Sequence, residues 1–292
     1  MTDEMTEKRT PDLYLKNDVM TVGVSLRGAE LLTWTRADGT ELLWEGLPSV
    51  WGHVSPLLFP FPGVMREGSY LSGGRRHMLP SGGVAMGLPF SVEDQTASRL
   101  ILKLAFPQPG YPFEAELLAA VILRGKQLTL EYDVVNPGYA PLYYGLGRQL
   151  AFTCPEGVEF QRLLFDQPET PEAYRMEGGY LDPDPIDAGR GIQQLSLSGN
   201  TLPGGCLILG GIRTGAVTLL SVKTGRRVRM DMEGFRYLRV WRRPRASFIS
   251  IEPWTTLPDR ADSDILLSRK DGIEQLPAGK TRQYRQILTL QE

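Results

Sequence analysis

Helical periodicity is hard to find anywhere in this chain, whereas short runs of alternating apolar and polar residues recur from one end to the other. Turns built on Gly and Pro separate them, as at Asn136-Pro137-Gly138, Gly110-Tyr111-Pro112 and Lys223-Thr224-Gly225. Many short strands joined this way bury their apolar faces sheet on sheet, so the expected fold is an all-β sandwich or barrel. At 292 residues the chain is long enough for one large domain with a substantial core. No internal repeat, low-complexity tract or linker divides it. Residues 1–12, polar and charged with Pro11 near the end, read as a frayed tail without chemistry, which leaves 13–292 as one domain.

Residues 13–15, 20–26 and 30–35 open a β-meander, and Asp38-Gly39 signals a hairpin before 41–44. Residues 68–70, 73–79, 100–106, 114–123, 128–136 and 142–152 follow as strands. The stretch 154–191 is richer in Pro, Gly and acids and reads as a long surface excursion with little regular structure. Strands return at 206–209, 216–222, 227–232, 237–241, 247–252 and 284–290.

Two stretches point to a site. Residues 247–254, Ser-Phe-Ile-Ser-Ile-Glu-Pro-Trp, place the carboxylate Glu252 at the end of a buried apolar strand. Pro253 is expected to stop the ladder there, with Trp254 beside the place of a pocket mouth. Taken alone, Glu252 reads as a solvated strand-end residue. The loop 51–63 is apolar and holds three prolines, so it suits neither a central strand nor water and is expected to line something. The glycine-rich turn 80–87 reads as a tight loop near a ligand, with a phosphate cradle as the weaker alternative because no helical period follows.

The net charge of −2 gives no reason to expect nucleic acid or an acidic membrane as a partner, and a small neutral ligand fits better. No stretch approaches the roughly 18 uninterrupted apolar residues of a membrane span. Cys154 and Cys206 read as free thiols, and with no leader pattern at the start the expected location is the cytoplasm. The histidines are His53 and His77, which leaves no His and Cys cluster at ligand spacing; neither a metal site nor a cofactor is expected.

Several pieces stand in a telling order: Gly28-Ala29-Glu30-Leu31, Leu43-Trp44, Trp51-Gly52, Pro56-Leu57-Leu58-Phe59-Pro60 with Gly63, Tyr111-Pro112-Phe113, Val135-Asn136, Gly147 with Ala151-Phe152 and Cys154-Pro155, and residues 248–254. Together they resemble the aldose 1-epimerase family, the mutarotases, and within it the bacterial branch of short LacX-like proteins. The resemblance implies a large antiparallel β-sandwich of the galactose-mutarotase type with a sugar in a cleft on its concave sheet. It also implies a glutamate that takes the anomeric hydroxyl proton, a histidine that protonates the ring oxygen and a second histidine that holds the sugar. Glu252 matches the glutamate, in a Glu-Pro-Trp context.

The other chemistry positions depart from the family. Its His-Gly-Phe-Ala-Arg motif falls on Gly82-Gly83-Val84-Ala85-Met86, so Gly82 replaces the histidine and Met86 the arginine. Its Gly-x-His-Pro-x-Phe motif falls on Gly147 to Phe152 and puts Gln149 in place of the second histidine. The acidic substrate residue falls on Gly205, and Val64 stands where arginine is frequent. An amide can hydrogen-bond a ring oxygen but cannot protonate it, and general acid catalysis is worth roughly 10²- to 10⁴-fold. His53, in the loop that should approach the cleft, is the candidate replacement acid, although no partner carboxylate is set by sequence spacing and a structural role competes.

The expected site is therefore Glu252 and His53 for catalysis, with Gln149, Arg148, Trp51, Trp254 and Met86 against the sugar. Aromatic residues such as Trp51, Trp254, Tyr143 and Tyr144 suit sugar C–H faces but also suit the core. Arg236, Arg239, Arg242, Arg243 and Arg245 read as a solvated hairpin in a chain where 25 of 32 basic residues are Arg; an anion clamp is the alternative. Two functions follow: a mutarotase-like protein acting on an aldose or sugar derivative, or a non-catalytic sugar-binding or regulatory protein that kept the cleft and lost the acid.

Overall fold

A computed structural model describes residues 8–198 and 201–291. Two antiparallel sheets carry the architecture. The larger has nine strands in the order Ile192–Ser196, Gln161–Glu169, Ala216–Ser221, Arg227–Glu233, Thr281–Gln291, Gln127–Val135, Glu116–Arg124, Arg99–Ala105 and Ser91–Gln95. The other has eight: Ile186–Asp187, Glu172–Tyr174, Cys206–Gly210, Tyr237–Trp241, Phe248–Trp254, Gly147–Arg148 and Leu57–Leu58 in order, with Ala151–Thr153 also paired to Phe248–Trp254. A three-stranded meander, Leu13–Lys16, Met20–Ser25 and Glu30–Arg36, packs against the same core.

Period-two alternation decides which side chains the two sheets share. On Phe248–Trp254, Ile249 and Ile251 enter the main core with Leu238 and Val240 of the neighbouring strand. Between the layers Phe152 and Ile251 meet Leu163, Val217 and Met230 from the nine-stranded sheet. Each such fully buried aliphatic side chain contributes about 1.5–3 kcal/mol, so the register of Phe248–Trp254 is held firmly. Its other set, Phe248, Ser250, Glu252 and Trp254, is thereby turned to the outer face of the eight-stranded sheet.

Four expectations change. Pro253 does not end the ladder: the strand runs to Trp254 with Leu238 opposite Pro253 and Tyr237 opposite Trp254, and Arg236 N donates to Trp254 O beyond the proline. A missing N–H removes at most one ladder bond, which pairing on both sides outweighs. Residues 154–191 are not an unstructured excursion, because Gln161–Glu169 alternates buried and exposed positions well enough to join the nine-stranded sheet. Residues 142–152 break into Leu142–Tyr144, Gly147–Arg148 and Ala151–Thr153, which pair with different partners. Of the expected tail, residues 1–7 lie outside the described residues. From Arg9 on the segment is tied down, with Arg9 Nη2 2.8 Å from Glu30 Oε2 and Asp12 Oδ2 accepting from Ser25 Oγ and Leu26 N.

Candidate functional site

The outward set of the Phe248–Trp254 strand meets that of Tyr237–Trp241 in register, which puts Arg239 directly across from Glu252. Glu252 has no exposed surface. Arg239 Nη1 lies 2.8 Å from both of its oxygens, and Gln149 Nε2 donates to Oε1 at 3.0 Å. Arg239 Nε donates to Cys206 Sγ at 3.3 Å, and the guanidinium lies over the Trp254 and Trp241 rings at 5.2 and 5.4 Å. Burial alone would lower the Arg239 pKa, but the Glu252 carboxylate and Cys206 beside it outweigh burial and hold it above the ordinary arginine value. A guanidinium bonded this way stays charged and keeps the carboxylate occupied.

Above this pair is a cleft of about 230 Å³, smaller than the roughly 300–1,000 Å³ of most ligand pockets and suited to a single ring. Gln149, Arg239, Trp254, Leu58, Ser81 and Met86 are among its lining residues, and Arg239 is the one titratable side chain in that lining. Arg239 retains 16% exposure, so its Nη2 donors remain for a ligand while Glu252 lies behind it. Gly147 lets the floor close, since a Cβ there would sit 2.6 Å from Trp254 Cδ1 and 2.8 Å from Pro62 Cβ. Gly83, at φ +78°, would place a Cβ 2.1 Å from Phe59 O, so the turn 80–87 and the apolar loop approach each other through backbone.

His53 is elsewhere. It lines a second cleft of about 720 Å³ together with Trp51, Arg9, Arg27 and Arg243, and Met86 is the side chain that lines both. His53 Nδ1 lies 3.4 Å from Oε2 of Glu30, a carboxylate with no exposed surface. Glu30 Oε1 accepts from Val54 N at 2.6 Å and Ser55 N at 3.0 Å. Burial alone would raise the Glu30 pKa; His53, Arg9 and the Val54 amide together hold it below the usual carboxylate value.

The expected residues thus divide. Glu252, Gln149, Trp254 and Met86 come together, whereas His53 and Trp51 belong to the larger cleft. Arg148 lines neither: it is buried in the core, donating to Ala29 O and Ser55 Oγ, because its neighbour Gln149 takes the outward side of the strand. The solvated reading of Glu252 fails, as does that of Arg239, and Arg236 is held by Glu274 at 2.7 Å. His53 does have a partner carboxylate, Glu30. Arg239, named in the sequence only within an arginine cluster, and Glu30, named only within a motif, are the two residues whose roles the sequence does not show directly. Counting the hairpin register back from Glu252 would have found the first; Glu30 is 23 residues from His53 and no spacing rule reaches it. Leu150 is fully buried and lines neither cleft. Among the described residues no group of His, Cys, Asp and Glu is placed to hold a metal ion, and no helix is long and apolar enough to cross a membrane.

A two-layer antiparallel sandwich with a small cleft on the outer face of one sheet, built over a glutamate in a Glu-Pro-Trp strand, defines a galactose-mutarotase-like protein. The aldose 1-epimerase family model matches residues 11–165, and the chain belongs to that family. Within it the chain falls in the LacX-like branch: it is 28% identical to the plasmid-encoded protein LacX of Lactococcus lactis over 284 residues, 89% of this chain and 93% of that one. Among solved structures it is similar to a galactose mutarotase related enzyme of Lactobacillus acidophilus, with a TM-score of 0.89, 25% identity and 96% and 97% of the two chains covered. A galactose mutarotase-like protein of Lactobacillus casei gives 0.89 and 26%, with 96% and 99% covered.

Proposed function

We propose that this protein binds an aldose or an acidic aldose derivative in the Gln149–Arg239–Trp254 cleft, and that it does so without the paired acid and base of mutarotation. One observation carries the reading: both oxygens of Glu252 are taken by Arg239, behind a cleft whose lining offers no histidine and no carboxylate. Ring opening needs a group that removes the anomeric proton and one that protonates the ring oxygen. Here the cleft presents an amide, a guanidinium and an indole, which suit holding a sugar: hydrogen bonds from Gln149 and Arg239 Nη2 to ring substituents, with Trp254 against a C–H face. A sugar carboxylate would pair with the same Nη2 donors.

A second reading, general-base ring opening by Glu252, is favoured by its place directly behind Gln149 and requires Arg239 to release it. Anomer-exchange NMR on neutral aldoses and uronic acids separates the two. Binding seen as line broadening at the uncatalysed exchange rate is the expected result, with broadening lost in Gln149→Ala. Accelerated exchange abolished by Glu252→Gln would establish the second reading instead.

A further inference from the structure

The larger cleft belongs to no part of that sugar reading. Its lining draws on five separate segments: Arg9 from the stretch before the first strand, Arg27 from the turn after Met20–Ser25, Trp51 and His53 from the apolar loop, Met86 and Gly87 from the glycine-rich turn, and Arg243 from the turn after Tyr237–Trp241. No Asp or Glu is among the lining residues. The carboxylate beneath, Glu30, is fully buried and spent on Arg9, His53 and two backbone amides. Arg27 and Arg243 are exposed and have no ion-pair partner among the described residues. In a chain of net charge −2, this concave patch therefore carries uncompensated positive charge, and a low-dielectric wall concentrates such a field.

The geometry of His53 adds direction. A carboxylate can only accept, so Nδ1 donates toward Glu30 and Nε2 is left on the side away from it, at a ring that is 35% exposed. Trp51, 5.9 Å from the His53 ring, is backed by Phe248 and Trp241 and gives the cleft a rigid aromatic wall. We propose that the larger cleft is a second ligand site for a phosphorylated small molecule, its phosphoryl group held between Arg27 and Arg243 beside the His53 ring and its body against Trp51. A planar carboxylate is satisfied by one guanidinium fork, whereas a tetrahedral phosphoryl group presents three oxygens, which suits guanidiniums that line one cleft from different segments. The volume of about 720 Å³ leaves room for a body beyond the phosphoryl group. Through Met86, the wall the clefts share, an occupant of one bears on the shape of the other.

The test is titration of the full chain with inorganic phosphate, glucose 6-phosphate, glucose and glucuronate, followed by calorimetry and by imidazole NMR. The chain has two histidines, so His77→Gln assigns the His53 resonance. Phosphate and glucose 6-phosphate are expected to bind and to shift His53, with the affinity for phosphate weakened at least tenfold in the Arg27→Ala/Arg243→Ala double variant and unchanged in Gln149→Ala. Both arginines are exposed, so the double variant keeps the fold and a null result from it is interpretable. Phosphate binding that survives the double variant, phosphate binding lost in Gln149→Ala, glucuronate shifting His53 as phosphate does, or no shift of His53 with phosphate would each overturn the assignment. Failure of the sugar reading alone would show as loss of glucose and uronic acid binding with phosphate binding intact.

Discussion

The two clefts hold the same kinds of groups in opposite states. In the smaller, the Glu252 carboxylate is consumed by a guanidinium across the strand pair, and the cleft is left with an amide, the outer side of that guanidinium and an indole. In the larger, the carboxylate is the buried support and the guanidiniums and imidazole face outward. What a glutamate can do is therefore set by which side of an ion pair the cleft sees. The presence of Glu252 alone says little about chemistry.

The largest effect should come from splitting the Arg239–Glu252 pair. Arg239→Met leaves Glu252 buried without its ion-pair partner, a change expected to cost about 3–5 kcal/mol, whereas replacing both partners by apolar residues of similar size should recover most of it. Urea unfolding of the two singles and the double gives the coupling directly. A single-variant loss below about 1 kcal/mol would mean that the pair is solvated and that Glu252 is free to act as a base.

Breaking the support of the other cleft should cost less and depend on pH. Glu30→Gln removes the charge that His53, Arg9 and two amides share, at about 2–3 kcal/mol near neutrality. The folded-state pKa of Glu30 lies below its ordinary value of 4.5, so its stabilisation is present above that pH and is lost as pH falls through the lower folded value. The gap in unfolding free energy between the natural chain and Glu30→Gln should therefore narrow as pH is lowered below the ordinary value of 4.5. A gap constant across that range would show that the charge of Glu30 contributes nothing.

The sandwich was legible because alternation and turn chemistry are local. The strands from Leu13 to Arg36 and from Arg99 to Val135 lie where their patterns place them, and the Glu-Pro-Trp segment marks the cleft. Two kinds of information were not local. Pro253 and the acid-rich stretch 154–191 were misread because sheet pairing on both sides overrides a missing donor or a polar composition. The states of Glu252 and His53 were illegible because both depend on cross-strand or loop-to-strand partners, Arg239 and Glu30, that residue type alone does not announce.

Glycines sharpen the contrast in packing. Gly147→Ala forces a Cβ against Trp254 and Pro62 in the small cleft and should cost about 1–3 kcal/mol and weaken sugar binding. Gly87→Ala, in the wall of the larger cleft, meets nothing within 4 Å and should change stability by less than about 0.5 kcal/mol. Equal costs at both positions would contradict the picture of one closed and one open site.

Thiol reactivity separates the clefts without a ligand. Burial pushes the Cys154 thiol up to about 12, and it raises Cys206 despite the lowering influence of Arg239 beside it. Both should label slowly with a disulfide reagent at pH 8, because the thiolate is scarce and access requires opening. Cys206 lies directly behind Arg239, so in Arg239→Met two influences oppose each other. Loss of the neighbouring charge makes the thiolate scarcer, while a locally destabilised strand pair opens more often. A few kcal/mol in the opening equilibrium is on the order of a hundredfold, so faster labelling is expected to win. In Arg27→Ala/Arg243→Ala the rate at Cys206 should stay within about twofold of the natural chain, since both side chains are exposed and neither is bonded to Arg239, Glu252 or Cys206. Acceleration there would tie the two clefts into one cooperative unit and would mean that Met86 transmits between them more than shape.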